Sequence, residues 1–244
     1  MAKRQLLVLA AIDGGFLHNK DYWGNDTRDV LKCIDGDPAD VSAVVFGGGT
    51  DIDSNIYDEL PGNQNQYPDT RRDKLEQLVF DWALRHNVPM IGVCRGAQLL
   101  TALNGGKLIQ HVTGHAGGNH ECITSDGEII LMNSCHHQMM FPWISRKDFK
   151  ILAKTNVKRS MQYLGSGAND FFKEKNLPDI FVRTEFVEPE VVWWPDSKAF
   201  CVQGHPEWMP NTSTMVQWIN ESLENLIIRG KERSCSTNSE QAGV

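Results

Sequence analysis

Three short apolar runs constrain this chain most: Gln5 to Ala11, Val41 to Phe46, and the stretch VPMIGVC that ends at Cys94. Their near-continuous apolar character marks strands buried on both faces rather than on one. Between the second and third runs lies TRRDKLEQLVFDWALRHN, with apolar residues at 75, 78, 79, 82 and 83. That is the helical period, and Thr70 with Asp73 forms a capping-box pattern at its start. Asn25 to Ile34 reads as a short helix opened by a capping Asn or Asp, and Arg95 to Leu103 as another, stopped by NGG. Strands alternating with helices predict a parallel sheet covered on both faces, whose ligands gather at the carboxyl ends of the strands. Both GGGTDID, residues 47 to 53, and Cys94 fall at that edge.

From about residue 120 the pattern changes. HECITSDGEIILMN reads as a hairpin, while FVRTEF, EVVWWP and AFCVQG read as short strands. Residues 155 to 180 are of mixed character, with GSGAND and KEKNLPD reading as loop and a short helix, and Asn211 to Arg229 is an amphipathic helix. With no linker-like division, residues 1 to 229 are expected to form one domain, and residues 230 to 244 a flexible tail. The apolar start is cut off by IDGG before it reaches the length of a signal core or membrane span. A net charge of −7 with dispersed Lys and Arg sets nucleic acid aside as a partner. Six cysteines without a framework spacing read as reduced thiols in a cytoplasm.

Cys94 sits between Gly92 and Gly96 where a strand turns into a helix. Glycines there let the turn tighten while a nucleophile is held up, the elbow logic of G-x-S-x-G written with sulfur. The helix N-terminus is expected to favour thiolate, and the Arg95 amide would point at an oxyanion. From GVCRG alone, a buried structural cysteine is an equally good reading. VQGHPEW supplies a base and its orienting group: His205 and Glu207, two residues apart, project to one face of an extended backbone. Gly48 and Gly49 can offer further amides, and their loop lacks the Lys-Ser/Thr of a phosphate-binding P-loop.

Taken in order, GGGTDID, GVCRGAQLL, NGGKLIQ, NSCHHQ and VQGHPEW resemble the class I glutamine amidotransferases, and within them the γ-glutamyl hydrolase branch, over most of residues 1 to 220. The resemblance implies an α/β, flavodoxin-like fold: a mostly parallel central sheet, flanking helices and a small antiparallel extension. It implies a Cys94, His205, Glu207 triad, an oxyanion hole from Arg95 and Gly48 or Gly49, and substrate contacts from Gln98, Ser134, His136 and His137. The expected reaction is cleavage of a γ-glutamyl amide, glutamine or a γ-glutamyl conjugate, through a thioester and without cofactor. The alternative is a glutaminase subunit delivering ammonia to a separate synthase, and a homodimer is compatible with either.

His111, His115, His120, Cys122, Cys135, His136 and His137 cluster in the sequence, but no closed structural-zinc spacing joins them. A metal is therefore not expected. A non-catalytic metal-binding protein of the same fold is the remaining reading, and it leaves H-P-E and the glycine loop unexplained.

Overall fold

The computed structural model describes residues 4–9, 14–27, 29–62, 64–164 and 187–230. Its centre is a nine-stranded sheet. The first half is parallel: β1 (Gln5–Leu9) lies between the edge strand β2 (Asn25–Thr27) and β3 (Val41–Phe46), followed by β4 (Met90–Val93). Two short pairs lie apart from it, β5 (Lys107–Ile109) with β9 (Met139–Phe141) and β6 (His111–Val112) with β11 (Tyr163–Leu164). The antiparallel half contains β7 (Asn119–Thr124), β8 (Ile129–Asn133), β10 (Lys150–Thr155) and β12 (Pro189–Trp194). The strand joining the halves, β13 (Ala199–Val202), runs parallel to β4 and antiparallel to β12. Their order across the sheet is β2-β1-β3-β4-β13-β12-β10-β7-β8.

The strands alternate their side chains between two cores. Leu6, Val8, Ala43 and Val45 face one, Leu7, Leu9, Val44 and Phe46 the other. The first face is covered by Trp23 of α1 (Lys20–Trp23) and by α5 (Thr214–Leu223). The second packs against α3 (Thr70–Arg85) and α4 (Arg95–Leu103). Every residue of β3, β4, β12 and β13 is buried, which accounts for their mostly apolar runs, interrupted by Ser42 and Glu190. Burying each such Val, Leu or Phe side chain contributes about 1.5–3 kcal/mol.

Two local expectations are corrected. Residues Asn25 to Thr27 form β2, and only Val30–Asp35 is helix (α2), with the Asp29 side chain accepting from the Lys32 amide. Strand pairing with β1 prevails over the capping pattern there. In α3 the cap is Asp69, which accepts from the Arg71 and Arg72 amides. Asp73 instead turns inward, as does Glu76, while Leu75 and Leu78 are exposed at 39% and 64%. The buried stripe of α3 thus includes two carboxylates, and the reason lies in Arg95.

The hairpin expected around residues 120 to 133 is β7–β8, and EVVWW and AFCV are β12 and β13. FVRTEF, GSGAND, KEKNLPD and the tail from residue 231 lie outside the described residues. Among the described residues, no helix is long and apolar enough to cross a membrane.

Candidate active site

Registration of three strand ends builds the site. Phe46 of β3 lies beside Gly92 of β4, and Val202 of β13 beside Val93. The Cys94 amide donates to the Val202 carbonyl at 2.8 Å. Residues that follow these strands, Gly48, Gly49, Cys94, His205 and Glu207, therefore emerge at one rim. With Cys135 and Trp208 they line a cavity of about 320 Å³.

Cys94 occupies φ 51°, ψ −109° at the N-terminus of α4. That is strained backbone for a residue with a Cβ, of the kind that concentrates at functional sites. The turn is tight enough that a Cβ at Gly92 would stand 2.7 Å from the Ala97 backbone nitrogen, and one at Gly96 would strike the Phe46 carbonyl. Burial pushes the Cys94 thiol up to about 12, while the Arg95 amide on the sulfur pulls the other way. Desolvation thus outweighs that hydrogen bond and favours the thiol over the expected thiolate.

His205 is held from three sides. Its amide donates to Asn133 Oδ1 and its carbonyl accepts from Asn133 Nδ2, both at 2.8 Å. Its Nδ1 lies 2.8 Å from Glu207 Oε1, and a carboxylate acceptor places the ring proton on Nδ1. The neutral ring then carries its lone pair on Nε2. Trp208 stacks on the imidazole, centroids 3.7 Å apart and planes within 3°.

The glycine loop is fixed from behind. Arg72 donates to the Gly48 carbonyl at 2.9 Å and the Gly47 carbonyl at 2.8 Å, and its Nε to Glu76 at 2.8 Å. In a trans peptide the N–H opposes the C=O, so the Gly48 and Gly49 amides face away from Arg72. A Cβ at Gly48 would stand 2.9 Å from His205 Cε1, so only glycine leaves the imidazole in place. Beneath the loop, the buried Arg95 guanidinium pairs with both Asp73 and Glu76. Asp73 also accepts from the Asp53 amide at 3.0 Å. These contacts explain the inward carboxylates of α3.

The residues expected to touch a glutamyl group are placed differently. Gln98 is buried and donates to the Gln138 carbonyl at 3.1 Å. Ser134 Oγ donates to the His115 carbonyl at 2.7 Å, and His136 Nδ1 to the Gln138 carbonyl at 2.8 Å. His137 pairs with Asp51 at 3.0 Å. None of these four lines the cavity; the segment they hold places Cys135 there instead. Sequence reasoning missed Cys135, Asn133, Trp208 and Arg72. Trp208 lies within VQGHPEW and Asn133 and Cys135 within NSCHHQ, motifs that drew the eye to other residues, whereas Arg72 carried no such signal.

A family described as Peptidase C26 matches residues 26–139. A protein of Rickettsia prowazekii named as glutamine amidotransferase-like is 32% identical over 105 residues, 43% of this chain and 34% of that protein. The matched regions span only 27% to 34% of the length of the first curated relatives. A Thermoplasma acidophilum structure described as a GMP synthase component shares 15% identity, with a TM-score of 0.52 over 96% of this chain and 98% of that one. A glutamine amidotransferase from Thermotoga maritima shares 16%, with a TM-score of 0.51 over 95% and 86%. The structural likenesses show a shared α/β fold, and over part of its length the chain is similar to Peptidase C26 and to proteins named as glutamine amidotransferase-like.

Proposed function

We propose that this chain is a cysteine-dependent amidohydrolase that cleaves a γ-glutamyl amide through a thioester, as the γ-glutamyl hydrolase branch would. One observation carries the reading: a strained cysteine at a helix N-terminus shares a cavity with a histidine whose far nitrogen is bonded to a carboxylate. Cys94 Sγ attacks the amide carbonyl carbon and His205 takes the thiol proton. The same imidazolium then protonates the leaving amine, and water resolves the thioester.

A thiol held up near 12 fits proton transfer to His205 accompanying attack rather than a preformed thiolate. Glu207 stabilises the imidazolium. The amides of Arg95 and of Gly48 or Gly49 serve the oxyanion, each such donor contributing roughly 3–4 kcal/mol to the transition state. Gln98, Ser134, His136 and His137 act by holding the 133–138 segment against the cavity.

The test is incubation of the purified chain with glutamine and a panel of γ-glutamyl amines, with mass spectrometry for a γ-glutamyl adduct on Cys94. Release of amine with that adduct supports the proposal. Turnover retained in Cys94→Ala overturns it. Glutamine hydrolysis that arises only on adding a separate synthase selects the ammonia-delivering role instead.

A further inference from the structure

A second group of reactive side chains lies on the same sheet edge, beyond β13. Glu190 is the second residue of β12, and its carbonyl accepts from the Gln203 amide at 2.8 Å, close to the start of the His205 loop. His115 comes from the turn before β7, and His136 from the segment after β8. Far apart in sequence, Glu190 and His115 are 0% exposed and His136 5%, and the three bring one ligating atom each within 4.8 Å of one another.

The hydrogen bonds around them assign the lone pairs. His115 Nε2 lies 3.2 Å from Glu188 Oε2, the shorter of its two carboxylate contacts; with the proton on Nε2, Nδ1 faces Glu190 Oε1 at 3.5 Å as an acceptor. Glu188 is itself held by the Tyr163 hydroxyl at 2.6 Å and the Ser160 and Arg159 amides at 2.8 and 2.9 Å. His136 Nδ1 donates to the Gln138 carbonyl, leaving Nε2 an acceptor with no hydrogen-bond partner. Glu190 Oε1 accepts from His120 at 3.0 Å, and Oε2 has no partner. Ser134 Oγ stands 3.4 Å from His115 Nδ1 but spends its proton on the His115 carbonyl. In that tautomer two imidazole lone pairs converge on the Glu190 carboxylate, of which only Oε1 is engaged, by His120, while His136 Nε2 and Glu190 Oε2 have no hydrogen-bond partner. Leaving buried acceptors unpaired is costly.

We propose that His115, His136 and Glu190 bind one borderline divalent cation, zinc in the first instance, through His115 Nδ1, His136 Nε2 and the Glu190 carboxylate. Two imidazoles and one carboxylate suit zinc, whereas magnesium and calcium take oxygen-rich sets. The surroundings fit as well: each imidazole gives its other N–H to a carboxylate or carbonyl, the outer support that orients metal-bound histidines. The ion would tie the 133–138 segment, which carries Cys135 and follows Asn133, to β12. The site stands whether or not Cys94 is a nucleophile.

The test uses the full chain, stripped with chelator and titrated with zinc alone or cobalt(II) alone. Calorimetry and elemental analysis are expected to give one equivalent, with a raised unfolding temperature. Cobalt(II) is expected to give d–d bands without a thiolate charge-transfer band. His136→Gln removes the binding, Glu188→Gln weakens it roughly 10–100-fold, and His86→Gln, at an exposed histidine after α3, leaves it unchanged. Failure to bind zinc stoichiometrically overturns the proposal, as does binding that survives His136→Gln or is lost in Cys94→Ser. Should His136→Gln not fold, X-ray absorption of the zinc-loaded wild-type chain decides: nitrogen and oxygen neighbours with imidazole scattering are expected, and a sulfur neighbour overturns the site.

Discussion

Two groups of histidine, cysteine and glutamate share one edge of the sheet and are handled in opposite ways. In the Cys94 cavity most donors and acceptors are matched in pairs, His205 with Glu207 Oε1, the glycine carbonyls with Arg72 and the Arg95 amide with sulfur, with Glu207 Oε2 left over. Around Glu190 the pairing stops one layer short, and unshared lone pairs face inward. The first arrangement positions a proton carrier beside an open volume. The second is sealed and poised for a cation.

The sharpest test of that contrast is Cys94→Ala. If the matched cavity is the reactive one, turnover of a γ-glutamyl amide falls by roughly 10⁴-fold or more, while zinc binding at the Glu190 cluster is unaffected. Steady-state kinetics and calorimetry on one preparation check both. Loss of zinc binding in this variant would merge the two regions into one site.

Next in size is Arg95→Met. Its guanidinium is 1% exposed between Asp73 and Glu76, so removing it leaves two buried carboxylates without their common cation. Breaking such a buried pair costs about 3–5 kcal/mol, read from the urea midpoint. A loss below about 1 kcal/mol, the scale of an exposed pair, would mean that water or Arg72 takes over. Gly48→Ala probes the same wall with less force. Its methyl would meet His205 Cε1 at 2.9 Å, and a displacement of this order lowers kcat about 10²-fold. KM should change less, since the cavity volume is hardly altered.

The two regions also differ in how far the sequence reveals them. Cys94, Gly48, Gly49, His205 and Glu207 were legible because each lies one to five residues past a buried strand, and parallel registration then brings strand ends together. The buried core of β3, β4 and β13 was legible for the same reason. Glu190 was not: inside EVVWW it reads as one polar residue at a strand start, and its partners His115 and His136 come from two other connections. Asp73 and Glu76 escape a reading by helical periodicity, which counts apolar residues. It cannot foresee that Arg95 on α4 makes a carboxylate face the buried one. Asn133 acts through backbone groups of His205, a contact that leaves no trace in spacing.

The smallest expected effect tests the protonation of Cys94 itself. Its folded value, about 12, lies above the ordinary 9.0, so the folded chain holds the proton more tightly than the unfolded one. The corresponding stability is fully present below pH 9 and is lost as pH rises from 9 toward 12. At about pH 10 the loss from this group is about 1.4 kcal/mol. Cys122 and Cys201 are also raised by burial and add the same sign of slope. The measurement is therefore a difference: urea stability of wild type minus Cys94→Ala, at about pH 8 and about pH 10, should shrink by about that amount. Iodoacetamide labelling of Cys94 should rise roughly tenfold per pH unit over the same range, as expected for a reacting thiolate far below its pKa. Labelling that is already fast and flat near neutral pH, with no change in the stability difference, would mean that sulfur and imidazole exist as a charged pair from the outset. The matched cavity would then contain a charge of its own, and its contrast with the Glu190 cluster would reduce to exposure alone.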